Sequence, residues 1–331
     1  MKAIVFDHFG GPEVLQLREI ADLTPGPGEA LIRTVAAGVN FGDIIIREGG
    51  APMKLTLPFI PGSEAAGTIE AIGEGVTGYA IGDRVAVPLF FTGRLDGGYA
   101  EQIVAPAAIL APLPAEVSFE QAAAIQLQGM TALGMVEHVS PKGKAVLIHA
   151  GAGGVGSCLV QLARLRGASK IIATAGSTDK RAVARRIGAD VAIDYTQPGW
   201  TEQLLDATDG AGPDVIYDSV GGQIRQDSLA ALAAQGTYVI YGVAATGAFE
   251  PISADQLIGM YMKCQSVTAF SLWPVLQTDG VLRGFLKKLF DLLIAGHISP
   301  LIGQRYKLAD AAHAHKALRE RATTGKTLLL L

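Results

Sequence analysis

The chain is poor in the residues that staple a fold, ligate metals or bind polyanions. It has 2 cysteines, Cys158 and Cys264, far apart in the sequence. They form no paired framework and neither has a Cys or His at ligand spacing, which excludes a disulfide scaffold and a Cys-based zinc module. That usage fits a reducing compartment, and a cytoplasmic protein is expected. Charged residues are only 18% and the formal charge is −4. No basic field exists to draw in phosphate backbones, so nucleic acid is not expected as the main partner. Long apolar runs are missing too. Met1-Lys2-Ala3-Ile4-Val5-Phe6 stops at Asp7 and is too short for a signal segment or a membrane span. The closing run Leu328 to Leu331 is equally short and reads as a last strand, so no membrane partner is expected. There is no internal repeat, low-complexity stretch or charged tail.

What is present is apolar surface: 49% of 331 residues are hydrophobic. That length exceeds what one core usually organises, so two domains are expected. The first part is punctuated by Gly10-Gly11-Pro12, Pro25-Gly26-Pro27-Gly28, Pro61-Gly62 and Gly73-Glu74-Gly75. Between them lie short β-type runs such as Ala30 to Ala36 and Arg84 to Pro88, which predict an irregular, mostly β domain. From Ser118, read as an N-cap with Glu120 and Gln121 in the first turn, the texture changes to helix. Strand candidates then alternate with helices: Ala145 to His149, Lys170 to Thr174, Asp190 to Ile193, Asp214 to Asp218 and Thr237 to Tyr241. This alternation predicts an α/β fold with a parallel sheet covered on both faces. After Cys264 it stops, a helix is expected from Gly280 to Ala295, and the tail is expected to return to the first domain. The expected boundaries are 1–121, 122–265 and 266–331.

The strand Ala145 to His149 runs into Gly151-Ala152-Gly153-Gly154-Val155-Gly156 and then into an apolar-periodic helix. A lone G-x-G-x-x-G is weak, but between a buried strand and a helix start it has the context its mechanism needs. Glycines let backbone approach a pyrophosphate, and the helix start offers unpaired N–H groups. The alternative is a glycine turn that serves helix–strand packing alone. A chain selective for NAD places an acid about twenty residues further on to hold the ribose 2′-hydroxyl. Here that strand end reads Thr174-Ala175-Gly176-Ser177, followed by Lys180 and Arg181. An uncharged position followed by cations suits a 2′-phosphate, so NADPH is the expected cofactor; the two cations could also be the solvated face of a helix.

Several stretches, in order, resemble the zinc-independent quinone oxidoreductases of the medium-chain dehydrogenase/reductase superfamily over nearly the whole chain. They are Phe9-Gly10-Gly11-Pro12-Glu13-Val14-Leu15, Ala37-Gly38-Val39-Asn40, Pro61 to Gly67, Gly82-Asp83-Arg84-Val85, Gly97-Gly98-Tyr99-Ala100-Glu101, His149 to Gly156 and Asp218-Ser219-Val220-Gly221-Gly222. The resemblance implies a GroES-like, mostly β catalytic domain built from both chain ends, an inserted Rossmann doubly wound parallel sheet, and an active site in the cleft. It implies Ala152, Gly153, Gly154 and Val155 at the pyrophosphate, and Gly176, Ser177 and Lys180 near the 2′-phosphate. Tyr195 and Ser219 would line the adenosine side, with Thr131, Tyr241, Gly242, Val243, Ala269 and Phe270 toward the nicotinamide. It also implies a homodimer, with Thr237 to Tyr241 and Ser266 to Phe270 extending one sheet across a two-fold axis.

Zinc enzymes of the superfamily carry a Cys just after the equivalent of Gly38-Val39, a His at the position of Ser63 and a four-Cys lobe. This chain has Asn40, Ser63 and a cysteine-free segment from Phe90 to Gly98. No metal is therefore expected. His313 and His315 lie two apart in a helical stretch and read as surface residues. Without a Lewis acid to stabilise an alkoxide, the expected reaction is hydride delivery to a quinone or an α,β-unsaturated carbonyl, whose delocalised product anion needs only orientation and a hydrogen bond. Asn40 is the candidate donor, since its amide does not titrate; alternatively it is a turn-former bonding local backbone. Asp43 reads as a structural acceptor. Gln128 and Thr131 could orient a carboxamide or act as helix caps. Ile45 and Ala51 stand where related reductases commonly have tyrosines, which predicts a less polar pocket. A reductase of another carbonyl or lipid-derived substrate, and a crystallin-like binding protein that uses the cofactor for stability, remain alternatives.

Overall fold

The computed structural model describes residues 1–50, 54–92, 96–276 and 281–331; Ala51 and Gly280 lie outside them. The chain divides into two compact units, Met1–Met130 with Leu276–Leu331, and Thr131–Val275. From the N-terminus run β1 (Lys2–Val5), β2 (Gln16–Glu19), β3 (Glu29–Val39), α1 (Phe41–Arg47), β4 (Ala65–Ile72), β5 (Arg84–Val87), β6 (Gln102–Pro106), β7 (Ala111–Pro112) and α2 (Phe119–His138). Helix α2 starts where the sequence places it: Ser118 Oγ accepts from Gln121 N, and Gln121 Oε1 accepts from Ser118 N, a reciprocal capping box. Because α2 runs across residue 130, the division falls inside a helix rather than at 121.

The second unit alternates β8 (Ala145–Ile148), α3 (Gly154–Leu165), β9 (Lys170–Thr174), α4 (Thr178–Arg186), β10 (Val191–Ile193), α5 (Trp200–Asp206), β11 (Val215–Asp218), α6 (Gln223–Ala231), β12 (Thr237–Ile240), α7 (Ala254–Lys263) and β13 (Ser266–Ala269). Among the described residues these strands form one parallel sheet in the order β10-β9-β8-β11-β12-β13. β13 is thus a sixth strand of this sheet, beyond the boundary expected at 265. Strands buried on both faces need continuous apolar runs, and β11 (Val-Ile-Tyr-Asp) is buried at every position. The order reverses between β8 and β11, so the loops leaving their carboxyl ends flank the switch point where such sheets bind ligands.

The chain then passes through α8 (Leu272–Leu276), α9 (Val281–Ile294), β14 (Ile302–Lys307), α10 (Ala311–Arg319) and β15 (Lys326–Leu330). β15 returns to the first unit and pairs antiparallel with β3, Thr327 opposite Val39 and Leu330 opposite Ala36. The sheet order is β14-β15-β3-β4-β5-β7, with β6 also on β3. Its core gathers Ile32, Val39, Ile69, Val85, Tyr99 and Leu329 with Ala311 and Ala314 of α10. No described helix is long and apolar enough to cross a membrane.

Candidate active site

In the second unit, the loops after β8, β9, β11 and β12 hold most of the residues expected around a dinucleotide. A Cβ on Gly156 would stand 2.2 Å from the Ala150 carbonyl oxygen, and one on Gly151 would stand 2.6 Å from the Ala173 Cβ. These glycines let the turn close onto the sheet. α3 begins at Gly154 with Gly153 as N-cap and no side chain capping its first N–H groups, whereas Ser177 Oγ caps α4 by accepting from Lys180 N at 3.3 Å. The uncapped α3 start, with Ala152 to Val155 around it, fits a phosphate group.

Gly176 sits beside Tyr195, whose Oη would lie 3.4 Å from a Cβ there. Ser177 is exposed and Lys180 half-buried. Arg181 is a different case: its guanidinium pairs with Asp194 at 2.5 Å. The loops after β11 and β12 are bonded together through Ala244 N to Ser219 O and Ala245 N to Val220 O, both 2.8 Å. Asp218 fixes the first of them, accepting from Val220 N (2.7 Å), Gly221 N (3.0 Å) and Tyr238 Oη (2.8 Å). Ser219, Tyr241, Gly242 and Val243 are thereby brought together, and desolvation pushes the Tyr241 phenol up against a hydrogen bond to Ser219. Phe270 N donates to Ile240 O, and its ring lies against α2, where a Cβ on Gly134 would meet it at 2.6 Å.

Gln128 and Thr131 lie inside α2, well past its start at Phe119. They are not helix caps, because the apolar turn Ala122 to Ile125 before them is already helical. Both are half-buried. The neighbouring Gln126 is the fully buried one, donating to Ala65 O at 2.9 Å.

In the first unit, Asn40 begins α1 at the end of β3 and is 5% exposed. Its amide bonds three side chains, and with Asp43 it forms a capping box at the start of α1. Nδ2 donates to Glu64 Oε1 (2.8 Å) and Ser63 Oγ (3.2 Å), and Oδ1 accepts from Lys326 Nζ (2.7 Å). Lys326 also forms an ion pair with Glu64, whose other oxygen accepts from Leu127 N of α2 at 2.7 Å. A Cβ on Gly38 would fall 2.3 Å from Glu64 Oε1 and 2.7 Å from Lys326 Cε, so only glycine leaves room for the pair. Asp43 Oδ2 accepts from Asn40 N (2.8 Å) and Tyr99 Oη (3.0 Å), and Oδ1 accepts from Ser63 Oγ (3.3 Å).

Burial pushes the Asp43 carboxyl up to about 6, against the opposing pull of Asn40 N–H, Lys326 and Tyr99. Tyr99 Oη meets His315 Nε2 at 3.0 Å, and His315 Nδ1 meets Arg47 Nη1 at 3.4 Å. His313 is on the surface as expected, but His315 is fully buried and held down at about 3 by burial and by the Arg47 charge. Two positions on a helix turn by roughly 200°, so one residue of the pair faces out and the other joins Ala311 and Ala314 inside. Glu64, Lys326 and Tyr99 were not singled out from the sequence as site residues, and His315 was read as a surface residue. The available signal was a charge inside an apolar run, as at Lys326 before Thr327 and Leu328. Among the described residues, no group of three or more His, Cys, Asp and Glu is placed to hold a metal ion.

Residues 26–115 match the alcohol dehydrogenase GroES-like domain, and residues 154–277 match a family described as zinc-binding dehydrogenase. The chain is 39% identical to the quinone oxidoreductase of Pseudomonas aeruginosa, with 99% of each chain covered. It is 34% identical to a 2-haloacrylate reductase of Burkholderia, over 99% of this chain and 98% of that one. The crystal structure of Escherichia coli quinone oxidoreductase complexed with NADPH superposes with a TM-score of 0.92, at 36% identity and full coverage of both chains. The two-unit fold, the glycine turn at the switch point and this full-length similarity give one conclusion: the chain belongs to the quinone oxidoreductase family of the medium-chain dehydrogenase/reductase superfamily.

Proposed function

We propose that this chain is a zinc-free oxidoreductase that uses NADPH to reduce a quinone or an α,β-unsaturated carbonyl. The observation that carries the reading is the bond between Asn40 and Ser63, 3.2 Å long. These residues stand where zinc enzymes of the superfamily keep a thiolate and an imidazole, and here an amide and a hydroxyl satisfy one another. The names and NADPH-bound states of the relatives support the same reaction class.

When bound, NADPH supplies the hydride. The chain's own residues hold and orient. The α3 start with Ala152, Gly153, Gly154 and Val155 takes the pyrophosphate; Gly176, Ser177 and Lys180 take the 2′-phosphate; Tyr195 and Ser219 flank the adenosine. Thr131, Gln128, Tyr241, Gly242, Val243 and Phe270 serve the nicotinamide half. Asn40 Nδ2 meets the acceptor's oxygen in place of Ser63, its longer partner. Ser63 loses little by the exchange, because its hydroxyl keeps donating to Asp43. The developing phenolate or enolate then receives a hydrogen bond from a group that cannot titrate.

A homodimer and a cytoplasmic location belong to the same reading. Among the described residues β13 is the edge of its sheet, and α7, which precedes it in the chain, exposes Leu257, Ile258, Tyr261 and Met262, apolar side chains of the kind that partners cover. Oxidation of NADPH by a panel of quinones, enones and saturated ketones tests the function. Turnover confined to quinones and enones is expected. Turnover of saturated ketones alone would favour the other-carbonyl reading, and no turnover at all would favour a binding protein.

A further inference from the structure

The hydrogen bonds beneath Asn40 run in one direction. Arg47 can only donate, so His315 Nδ1 accepts from it and the ring hydrogen sits on Nε2. That hydrogen points to Tyr99 Oη, which leaves the phenol hydrogen for Asp43 Oδ2. Arg47 is itself fixed by Nε to Gly10 O (3.0 Å) and Nη2 to Glu48 Oε1 (2.6 Å). Arg47, His315, Tyr99 and Asp43 are each 0 or 1% exposed. They come from α1, α10 and the loop before β6, so a chain of sequence-distant groups converges on one carboxylate. The charged and titratable groups facing that carboxylate are Lys326, Glu64 and Tyr99, with His315 and Arg47 behind Tyr99 and Glu48 and Arg319 outside them.

We infer that Tyr99 and His315 are positioning residues of the reductase: they hold Asp43 as an acceptor-only carboxylate, which keeps the Ser63 hydroxyl turned toward Asp43 and the second amide hydrogen of Asn40 free to pass to a substrate oxygen. This rests on the reading of Asn40 as the group that meets the acceptor. The ionised carboxylate takes three donors, Asn40 N–H, Tyr99 O–H and Ser63 O–H. A protonated Asp43 must donate to one of them, and a proton given to Ser63 forces that hydroxyl to seek another acceptor. Asn40 Oδ1 can take that role only if the amide turns over, which aims its N–H groups at the Lys326 ammonium. Burial alone would favour the protonated form, as the upward shift of Asp43 shows. A second proton on His315 is blocked, because Nδ1–H would face the Arg47 guanidinium.

The experiment measures the pH profile of quinone turnover and the NADPH dissociation constant for the wild type, Tyr99→Phe, His315→Leu and His315→Gln. Tyr99→Phe removes one donor to Asp43, and His315→Leu leaves Tyr99 without the partner that aims it. Both should move the acid limb of turnover upward by about one pH unit, a roughly tenfold loss on the acid side with little change above pH 8. His315→Gln can still accept from Arg47 and donate to Tyr99, and should restore the wild-type profile. NADPH affinity should stay within twofold (about 0.4 kcal/mol) in all three. An acid limb at the same pH in Tyr99→Phe and His315→Leu would overturn the inference while leaving the proposed function standing. A wild type that reduces no quinone or enone would remove the function and this inference with it. Should the variants not fold, nitrogen and carbon NMR of the wild type decides. An Nε2–H imidazole that does not titrate down to pH 4, and an Asp43 carboxyl titrating together with the acid limb, are expected; an Nδ1–H tautomer would refute the hydrogen order.

Discussion

Replacing Lys326 with methionine keeps most of the side chain's volume and deletes one charge from the centre of the first unit. Lys326 is 1% exposed and Glu64 is 0% exposed, so water cannot replace the lost partner. Glu64 keeps the N–H donors of Asn40 and Leu127, but among the described residues no other cation is placed within hydrogen-bond reach of it. Breaking a buried ion pair from one side costs about 3 to 5 kcal/mol. With an m-value near 3 kcal/mol/M, that should lower the midpoint of urea unfolding by about 1 to 1.7 M without changing the slope. Adding Glu64→Gln removes the stranded charge, and the double variant should recover more than half of the loss. Equilibrium unfolding followed by tryptophan fluorescence and far-ultraviolet circular dichroism reads both. A loss below about 1 kcal/mol, or a double variant worse than Lys326→Met, would refute the buried charge pair.

His315 is a base whose folded value, about 3, lies below its unfolded 6.5. The unfolded chain therefore binds more protons between these values, and stability is lost as pH falls, by about 5 kcal/mol at the acid end. Asp43 is raised from 3.8 to about 6, so it acts in the opposite sense, withdrawing about 3 kcal/mol as pH rises across that range. His315→Gln should flatten the acid-side loss in urea unfolding measured from pH 7 to pH 4, and an unchanged slope would contradict the assigned burial. Lys180→Ala should weaken NADPH by about ten- to a hundredfold while barely affecting NADH, as loss of a charge-assisted contact implies; equal losses for the two cofactors would remove Lys180 from the 2′-phosphate. Light scattering at micromolar concentration should give the mass of a dimer, and Tyr261→Glu on the exposed face of α7 should lower it toward the monomer.

The parallel sheet was legible because buried strands leave continuous apolar runs and each ends in a glycine or polar turn. The strands from Ala145, Lys170 and Thr237 were placed within a residue of their observed ends. The glycine turn was legible for the same reason, its spacing being fixed by how closely helix and strand approach. The extent of α2 was not, because its alanine-rich body carries no punctuation at Gln128 or Thr131 to show that the helix had already begun. The network under Asn40 was the least legible. Its members come from residues 40–47, 63–64, 99, 315 and 326, and only the sheet pairing of β15 with β3 brings the last of them beside the first. A charged residue in an apolar strand signals that a partner exists but does not name it. Asn40 was weighed as a substrate donor or a turn-former, and its side chain also bonds Ser63, Glu64 and Lys326, contacts that spacing alone does not expose.

The most direct test of the account is turnover and metal content measured on one sample of extensively chelated protein. Asn40 and Ser63 satisfy each other where the zinc enzymes hold ligands, so chelated protein free of stoichiometric zinc should oxidise NADPH with a quinone at the rate of the untreated sample. Loss of turnover that returns on adding zinc, or one tightly held zinc per chain, would contradict the account.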